Sequence, residues 1–417
     1  MGKIYYHIKN CRLCSSEIRE IINFGNVAIG NNLSNNLKDA KSAKKFPLSL
    51  NQCKKCNHFQ LGISINPKIL YAKNYTYLSG IGLTFIKHFE NYSTWILNKI
   101  KISKDDYILD IGSNDGTCLN FFKSKGVKTL GIDPAKLPSN IANKKGIFTI
   151  NKFFDKRSKN FIEKKFGKPS FITSHNVLAH IEDIKSTFEL IYELLQDNGH
   201  FCFEVGYFKD VMENQFLDTI YNEHLDYHHA NPLVKFLNKI GFSILDISLN
   251  KIQGGSLRIF ARKSISIKNS KKVINFCLKE KNTILYDRRR LKFLIKKFML
   301  NSQNIKTYLS KIVHQKIIGF GSPTKAVLLN KLLNIDDKVI KYTLEDNSLK
   351  AKKYLPISGI KILKNSKKNF NKSEKYFFIY AWNFSSDILK KLRMNKRHLG
   401  ESAKAIIPLP KLKIVKI

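Results

Sequence analysis

A chain of 417 residues, 43 % of them hydrophobic, is long enough for two or three domains that each bury a core. A formal charge of +41 raises the question of nucleic acid, but the excess is mostly lysine spread along the chain, as in "NKKGIFTINKFFDKRSKNFIEKKFGK", alongside the abundant Ile, Asn and Phe that AT-rich codons favour. Solvated helix faces account for it, so no nucleic-acid partner is expected, although anionic ligands such as phosphorylated metabolites are favoured. No window approaches ~18 consecutive apolar residues, so no membrane span or membrane partner is expected. "MGKIYYHIKNCRLC" lacks the apolar stretch of a secretory signal, which makes the cytoplasm the expected location.

In chain order, residues 1–71 carry "CRLC" and "CKKC". Each C-x-x-C lets two thiolates grip one ion from a tight turn, and two such knuckles complete a tetrahedral site. Cys11, Cys14, Cys53 and Cys56 are therefore the expected ligands of a zinc ion. With four protein ligands the site is closed, hence structural. Cys118, Cys202 and Cys277 stand alone in apolar or helical contexts and read as buried free thiols.

Residues 72–267 begin with a helical stretch, "GLTFIKHFENYSTWILNKI". "YILDIG" follows as a buried strand, "GSNDGT" as a glycine turn, "CLNFFKSKG" as a helix and "KTLGID" as a second strand. This is a βαβ unit of the kind that seats a nucleotide at the strand ends. It is not G-x-G-x-x-G. Acids Asp110 and Asp115 stand in and beside the turn, poor neighbours for a pyrophosphate and good ones for a cation such as a sulfonium with an ammonium group. S-adenosylmethionine is thus the expected cofactor, with Asp133 at the second strand end for ribose hydroxyls. "PSFITSHNVLAHIED" and "GHFCFEVGYFKDV" add strands. "LVKFLNKIGFSILDISLN" reads as helix then strand, and "GGSLRIFARK" as a strand.

Residues 268–311 read as a lysine-rich helical connector and 312–417 as a second Rossmann-like unit, opening at "HQKIIGFGSPTKAVLLNKLL". Lys325 does not fit a P-loop. The fold class expected is α/β: a small N-terminal zinc-binding domain, a central Rossmann-like methyltransferase domain and a C-terminal Rossmann-like α/β domain.

The stretch "DTIYNEHLDYHHA", from Asp218 to Ala230, concentrates tyrosines, a glutamate and three histidines. It could hold a metal through Glu223, His224 and His228, the two histidines sharing a helix face at i, i+4, transfer protons, or be a polar surface loop. No H-E-x-x-H pattern is present, and His228 and His229 read as surface or packing residues.

Taken together, "CRLC", "CKKC", "YTYLS", "LDIGSNDGT", "GIDPA", "NVLAHI", "DTIYNEHLDY", "GGSLR", "GFGSPTKA" and "AWNF" make the chain resemble the S-adenosylmethionine-dependent sugar C-methyltransferases over nearly its whole length. The resemblance implies methylation of a nucleotide-diphosphate-linked keto-deoxysugar at the carbon next to the ketone. His224 would be the general base with Glu223 beside it. Tyr221, His180 and Tyr75 would line the same site, with Tyr77 the runner-up to Tyr75. Asp110, Gly112, Asn114, Gly116 and Asp133 would hold the cofactor, and Asn176 would face the substrate. The family often has an aromatic residue where this chain has His228, and a histidine where it has Gln253. The alternatives are O- or N-methylation by the same fold, which needs no α-proton base, and a catalytically silent zinc and Rossmann binding module in a surface-polysaccharide pathway.

Overall fold

The computed structural model describes residues 4–71, 77–370, 375–399 and 402–417. The chain forms two compact units, each drawn from three stretches. Met1–Glu20, Asn51–Lys209 and His224–Tyr286 make the first, and Ile21–Leu50, Asp210–Glu223 and Asp287–Ile417 the second.

These units group the chain by contact, whereas the segments expected from sequence follow one another along it. Residues 21–50 of the expected zinc domain and 210–223 of the expected central domain belong to the second unit, and the expected connector divides between Tyr286 and Asp287. The strands Ile18–Ala28 and Lys45–Cys53 carry the chain from one unit to the other and back. The helical connector is a pair of helices. The first, Lys271–Lys281, buries Val273 in the first unit's core.

The first unit is built on a seven-stranded sheet of β1 (Tyr107–Ile111), β2 (Lys128–Ile132), β3 (Thr149–Ile150), β4 (Phe171–His175), β5 (His200–Gly206), β6 (Phe242–Asn250) and β7 (Ser256–Lys263), in spatial order β6-β7-β5-β4-β1-β2-β3. Strands β1 to β5 run parallel, and β7 is antiparallel to both β5 and β6. All five residues of β1 are buried, as its continuous apolar run requires of a strand covered on both faces. One face packs Phe188, Phe201, Phe203, Leu257 and Ile259. The other packs Phe89, Tyr92 and Ile96 of α1 (Leu83–Lys99) with Leu119 and Phe122 of α2 (Thr117–Lys123). Strand order reverses beside β1, between β4 and β2, which opens a crevice at the carboxyl ends of β1 and β4. Helix α3 (Lys136–Lys144) follows β2, and α4 (Ala230–Ile240) precedes β6.

In the second unit, α5 (Arg288–Ile312) leads into a six-stranded sheet of β8 (Ile317–Phe320), β9 (Tyr342–Glu345), β10 (Lys361–Lys364), β11 (Tyr376–Ile379), β12 (Lys404–Ile407) and β13 (Lys413–Lys416), ordered β10-β9-β8-β11-β12-β13. Only the edge strand β13 is antiparallel. The turn between β8 and α6 (Ala326–Leu333) repeats a device of the first unit: an acid at the end of the neighbouring strand reaches back to it. Glu345 accepts from Ser322 N at 2.8 Å and from its hydroxyl at 2.5 Å.

Candidate active site

The glycine turn after β1 lies at the crevice. Gly112 has φ +74°, and a Cβ there would fall 2.2 Å from Val177 Cγ2, so the backbone and the β4 loop touch without room for a side chain. Gly116, also at φ +74°, serves a different end. Its Cβ would meet Ile147 and Ala142 at 3.0–3.1 Å, so this glycine lets α2 pack against α3. Asn114, at φ +51°, donates its backbone N–H to Asp133 Oδ2 at 2.9 Å. Its side chain clasps the segment ahead of α1, accepting from Ser79 N and donating to Tyr77 O.

Asp133 Oδ1 accepts from Ala135 N at 2.8 Å. Burial pushes this carboxyl up to about 6, although the two amide donors pull it back. Asp110 is 2 % exposed within β1, where burial and then the charge of Asp133 push its carboxyl well above the usual range. Asp115, the acid expected to face a cation, is engaged within the chain: it takes Gly80 N at 3.1 Å and the Thr117 hydroxyl at 2.6 Å.

A cavity of about 900 Å³, within the span of small-molecule sites, is bounded by Gly112, Asn114, Asp133, Asn176, His180 and Tyr77 among others. Asp110 and Gly116 are not among its lining residues. The lining suits an S-adenosyl ligand. Asp133 keeps lone pairs for hydroxyl donors, and Ile132, Phe154 and Leu190 offer apolar wall to a base.

Tyr71 and His180 line the same cavity, with Tyr71 Oη 3.1 Å from His180 Nδ1; His224 is not among the lining residues but its ring meets that of His180 at a tilt, centroids 4.5 Å apart. His224 is half-buried and also meets Tyr227 edge-on. Tyr75 lies outside the described residues. Tyr77 lines the cavity and is 39 % exposed. Glu223 and Tyr221 fall in the second unit. Glu223 is 1 % exposed, accepts from Asn31 N at 3.1 Å, and is pushed up to about 7 by burial.

The four cysteines of the knuckles converge. Cys11 and Cys56 sulfurs are 3.6 Å apart, Cys14 and Cys53 3.5 Å, and all four lie within 4.8 Å of one another. Sulfurs about 2.3 Å from one ion in a tetrahedron stand about 3.8 Å apart, so the set fits zinc.

Residues 11–71 match the family model described as "Putative zinc binding domain", 88–247 "Methyltransferase domain" and 251–410 "C-methyltransferase C-terminal domain". The chain is 24 % identical to C-methyltransferase NovU of Streptomyces niveus, over 100 % of this chain and 99 % of that one. The chain belongs to the S-adenosylmethionine-dependent C-methyltransferases. Similar solved structures include magnesium protoporphyrin IX methyltransferase from Synechocystis PCC 6803 with bound SAH, at 14 % identity and TM-score 0.35, over 44 % of this chain and 88 % of that one. Another is an S-adenosylmethionine-dependent methyltransferase from Clostridium acetobutylicum ATCC 824, at 15 % and 0.34, over 43 % and 92 %.

Two parts of this C-methyltransferase were not legible as site-building residues. Behind His175, Glu204 is 2 % exposed and its carboxylate meets four donors: His88 Nε2 at 2.6 Å, His175 Nδ1 at 3.2 Å, Arg258 Nε at 2.6 Å and Asn250 Nδ2 at 3.1 Å. These partners hold Glu204 well below the usual carboxylate range despite its burial. Its backbone oxygen accepts from Asn176 N at 2.8 Å, so one residue fixes β4, β5, β6, β7 and α1 around the cavity floor. The second part is Arg12, inside "CRLC". It pairs with Asp226 at 3.0 Å and donates to the carbonyls of Ile181 and Glu182, which line the cavity. A zinc ion held by Cys11, Cys14, Cys53 and Cys56 would fix the knuckle that carries Arg12.

The metal reading of "EHLDYHH" required a helix. Residues 224–229 are not helical: Asp226–Tyr227 form a two-residue strand, and α4 starts only at Ala230. His228 is 1 % exposed and stacks on His58 at 5.4 Å. His229 is fully buried, with Glu280 3.0 Å from Nδ1 and Asn57 O 3.0 Å from Nε2. Both are packing residues.

Proposed function

We propose that this enzyme methylates the carbon next to the ketone of a nucleotide-diphosphate-linked keto-deoxysugar, with His224 taking the α-proton. The observation that carries this reading is the contact of the His224 ring, at 4.5 Å, with His180 of the cavity wall, whose Nδ1 meets Tyr71. Methyl transfer to oxygen or nitrogen removes no α-proton, whereas carbon becomes nucleophilic only once its α-proton is gone, which makes a base indispensable.

When bound, S-adenosylmethionine supplies an electrophilic methyl group. Asp133, Gly112 and Asn114 would hold it, and Asp110 and Gly116 would support the turn from behind. When Tyr71 donates to Nδ1, the His180 proton resides on Nε2, from which it would donate to the developing enolate oxygen. Neutral His224, facing His180, accepts the α-proton. Asn176 and Tyr77 flank the sugar, and Glu223, Tyr221 and Tyr75 complete the proposed set. The lysine excess favours a diphosphate.

The test is His224→Ala with a keto-sugar nucleotide in deuterium oxide. Loss of deuterium wash-in at the α-carbon, with S-adenosylhomocysteine still bound, supports the role; unchanged wash-in removes it. A screen of thymidine-, GDP- and CDP-linked keto-sugars with labelled methyl donor identifies the substrate.

A further inference from the structure

Helix α5 is two-faced in an unusual way. Leu291, Phe298, Ser302, Ile305, Leu309 and Ile312 form its buried stripe. On the opposite side Arg289, Phe293, Lys296, Lys297 and Leu300 are all exposed and, at 100° per residue, fall within an arc of about 100°. Phe293 is 65 % exposed and Leu300 57 %, two turns apart, with the two lysines between them.

The charge of this helix has one sign. Its 25 residues contain eight lysines and arginines and no carboxylate. Among the described residues, no ion pair engages Arg288, Arg289, Arg290, Lys292, Lys296 or Lys297. Lysine is abundant throughout the chain, but arginine is not. Three of only ten arginines stand consecutively in the first turn of this helix. Cations there oppose the helix dipole, so helix stability does not account for them.

We propose that the outward face of α5 docks on an anionic lipid surface. Basic side chains gather acidic head groups while Phe293 and Leu300 enter the acyl boundary, a combination that peripheral membrane contacts use. Nucleic-acid phosphates would use the charges but leave Leu300 without a partner. A second copy of the chain would bring +41 against +41. No described helix is long and apolar enough to cross a membrane, so the contact would be peripheral.

The experiment is sedimentation of the full-length protein with vesicles of phosphatidylglycerol and phosphatidylcholine in equal parts, against phosphatidylcholine alone. Binding to the anionic vesicles only, weakening with salt, is expected. Phe293→Ser with Leu300→Ser, all charges kept, should reduce partition about tenfold. Lys296→Gln with Lys297→Gln should do the same. These positions are exposed, so unchanged thermal midpoints and S-adenosylhomocysteine affinity would verify that the variants fold. Three outcomes overturn the proposal: no partition into anionic vesicles, partition indifferent to the Phe293/Leu300 change, or a concentration-dependent dimer in buffer that Leu300→Ser disperses. So would capture of an RNA oligonucleotide in place of vesicles. None of these outcomes bears on methyl transfer.

Discussion

Asp133→Asn separates the proposed cofactor role of this acid from its structural one. Both carboxylate oxygens accept backbone N–H groups, at 2.9 Å from Asn114 and 2.8 Å from Ala135. An amide supplies one acceptor oxygen and turns an NH2 group against the other donor. A buried N–H left unpaired costs about 1–3 kcal/mol, and a lost charge-assisted bond to a ligand hydroxyl costs a similar amount. The expected outcome is a lower thermal midpoint and about 10- to 100-fold weaker binding of S-adenosylhomocysteine. The pH dependence tests the same reasoning. The folded carboxyl titrates at about 6 against an ordinary 3.8. Its contribution to stability is therefore fully present below about 4 and lost as pH rises through about 6. Hydroxyl donors favour the ionised form, so binding releases a proton and tightens with pH up to about 6, then levels off. Returning the pKa to 3.8 spans about 2 units, a ceiling of about 100-fold. Calorimetric titration across this range, in two buffers of different ionisation heat, measures both affinity and proton release. A flat profile in the wild type, or a profile in Asp133→Asn that still bends near 6, would refute the argument.

Gly112→Ala forces both a positive φ and a contact 2.2 Å from Val177 Cγ2. It should cost about 2–4 kcal/mol in thermal or urea unfolding, with part recovered when Val177→Ala removes the clash; equal stability in the single variant would mean that the turn relaxes. Cys53→Ser should reduce bound zinc well below one per chain by atomic absorption and lower the thermal midpoint by several degrees. A zinc-free variant of wild-type stability would contradict a structural role.

What the sequence made legible was local. The apolar run of β1, the turn after it and the acid closing β2 are contiguous signals, and each lies where the pattern puts it. The interleaving of the two units was not legible, because the strands Ile18–Ala28 and Lys45–Cys53 carry no mark of which core their far ends will join. Asp115 illustrates a subtler gap. An acid in a glycine turn looks available to a ligand until the segment at Gly80 arrives to occupy it. Tyr71 offered no signal beyond standing just before the "NYTYLS" stretch, since its partner His180 lies 109 residues away.

The stretch from Asp218 to Ala230 shows how burial sorts a polar cluster that sequence alone left open. Asp218 accepts from Trp382 Nε1 at 2.6 Å and faces Lys325 at 3.7 Å within the second unit. Asp226 is held by Arg12 and His58, and those partners keep it at about 2, ionised across the physiological range. His229 and the first amides of α4 share Glu280. His228 is sealed against His58, and burial lowers its ring to about 3, so it stays neutral. A general base must reach a substrate proton and change charge as it works. Residues fixed in buried pairs can do neither without breaking contacts that hold the fold. His224 differs from Asp226, His228 and His229 in being only partly buried, with its ring against a histidine of the cavity wall. That contrast is the physical reason the proposed proton transfer centres on it.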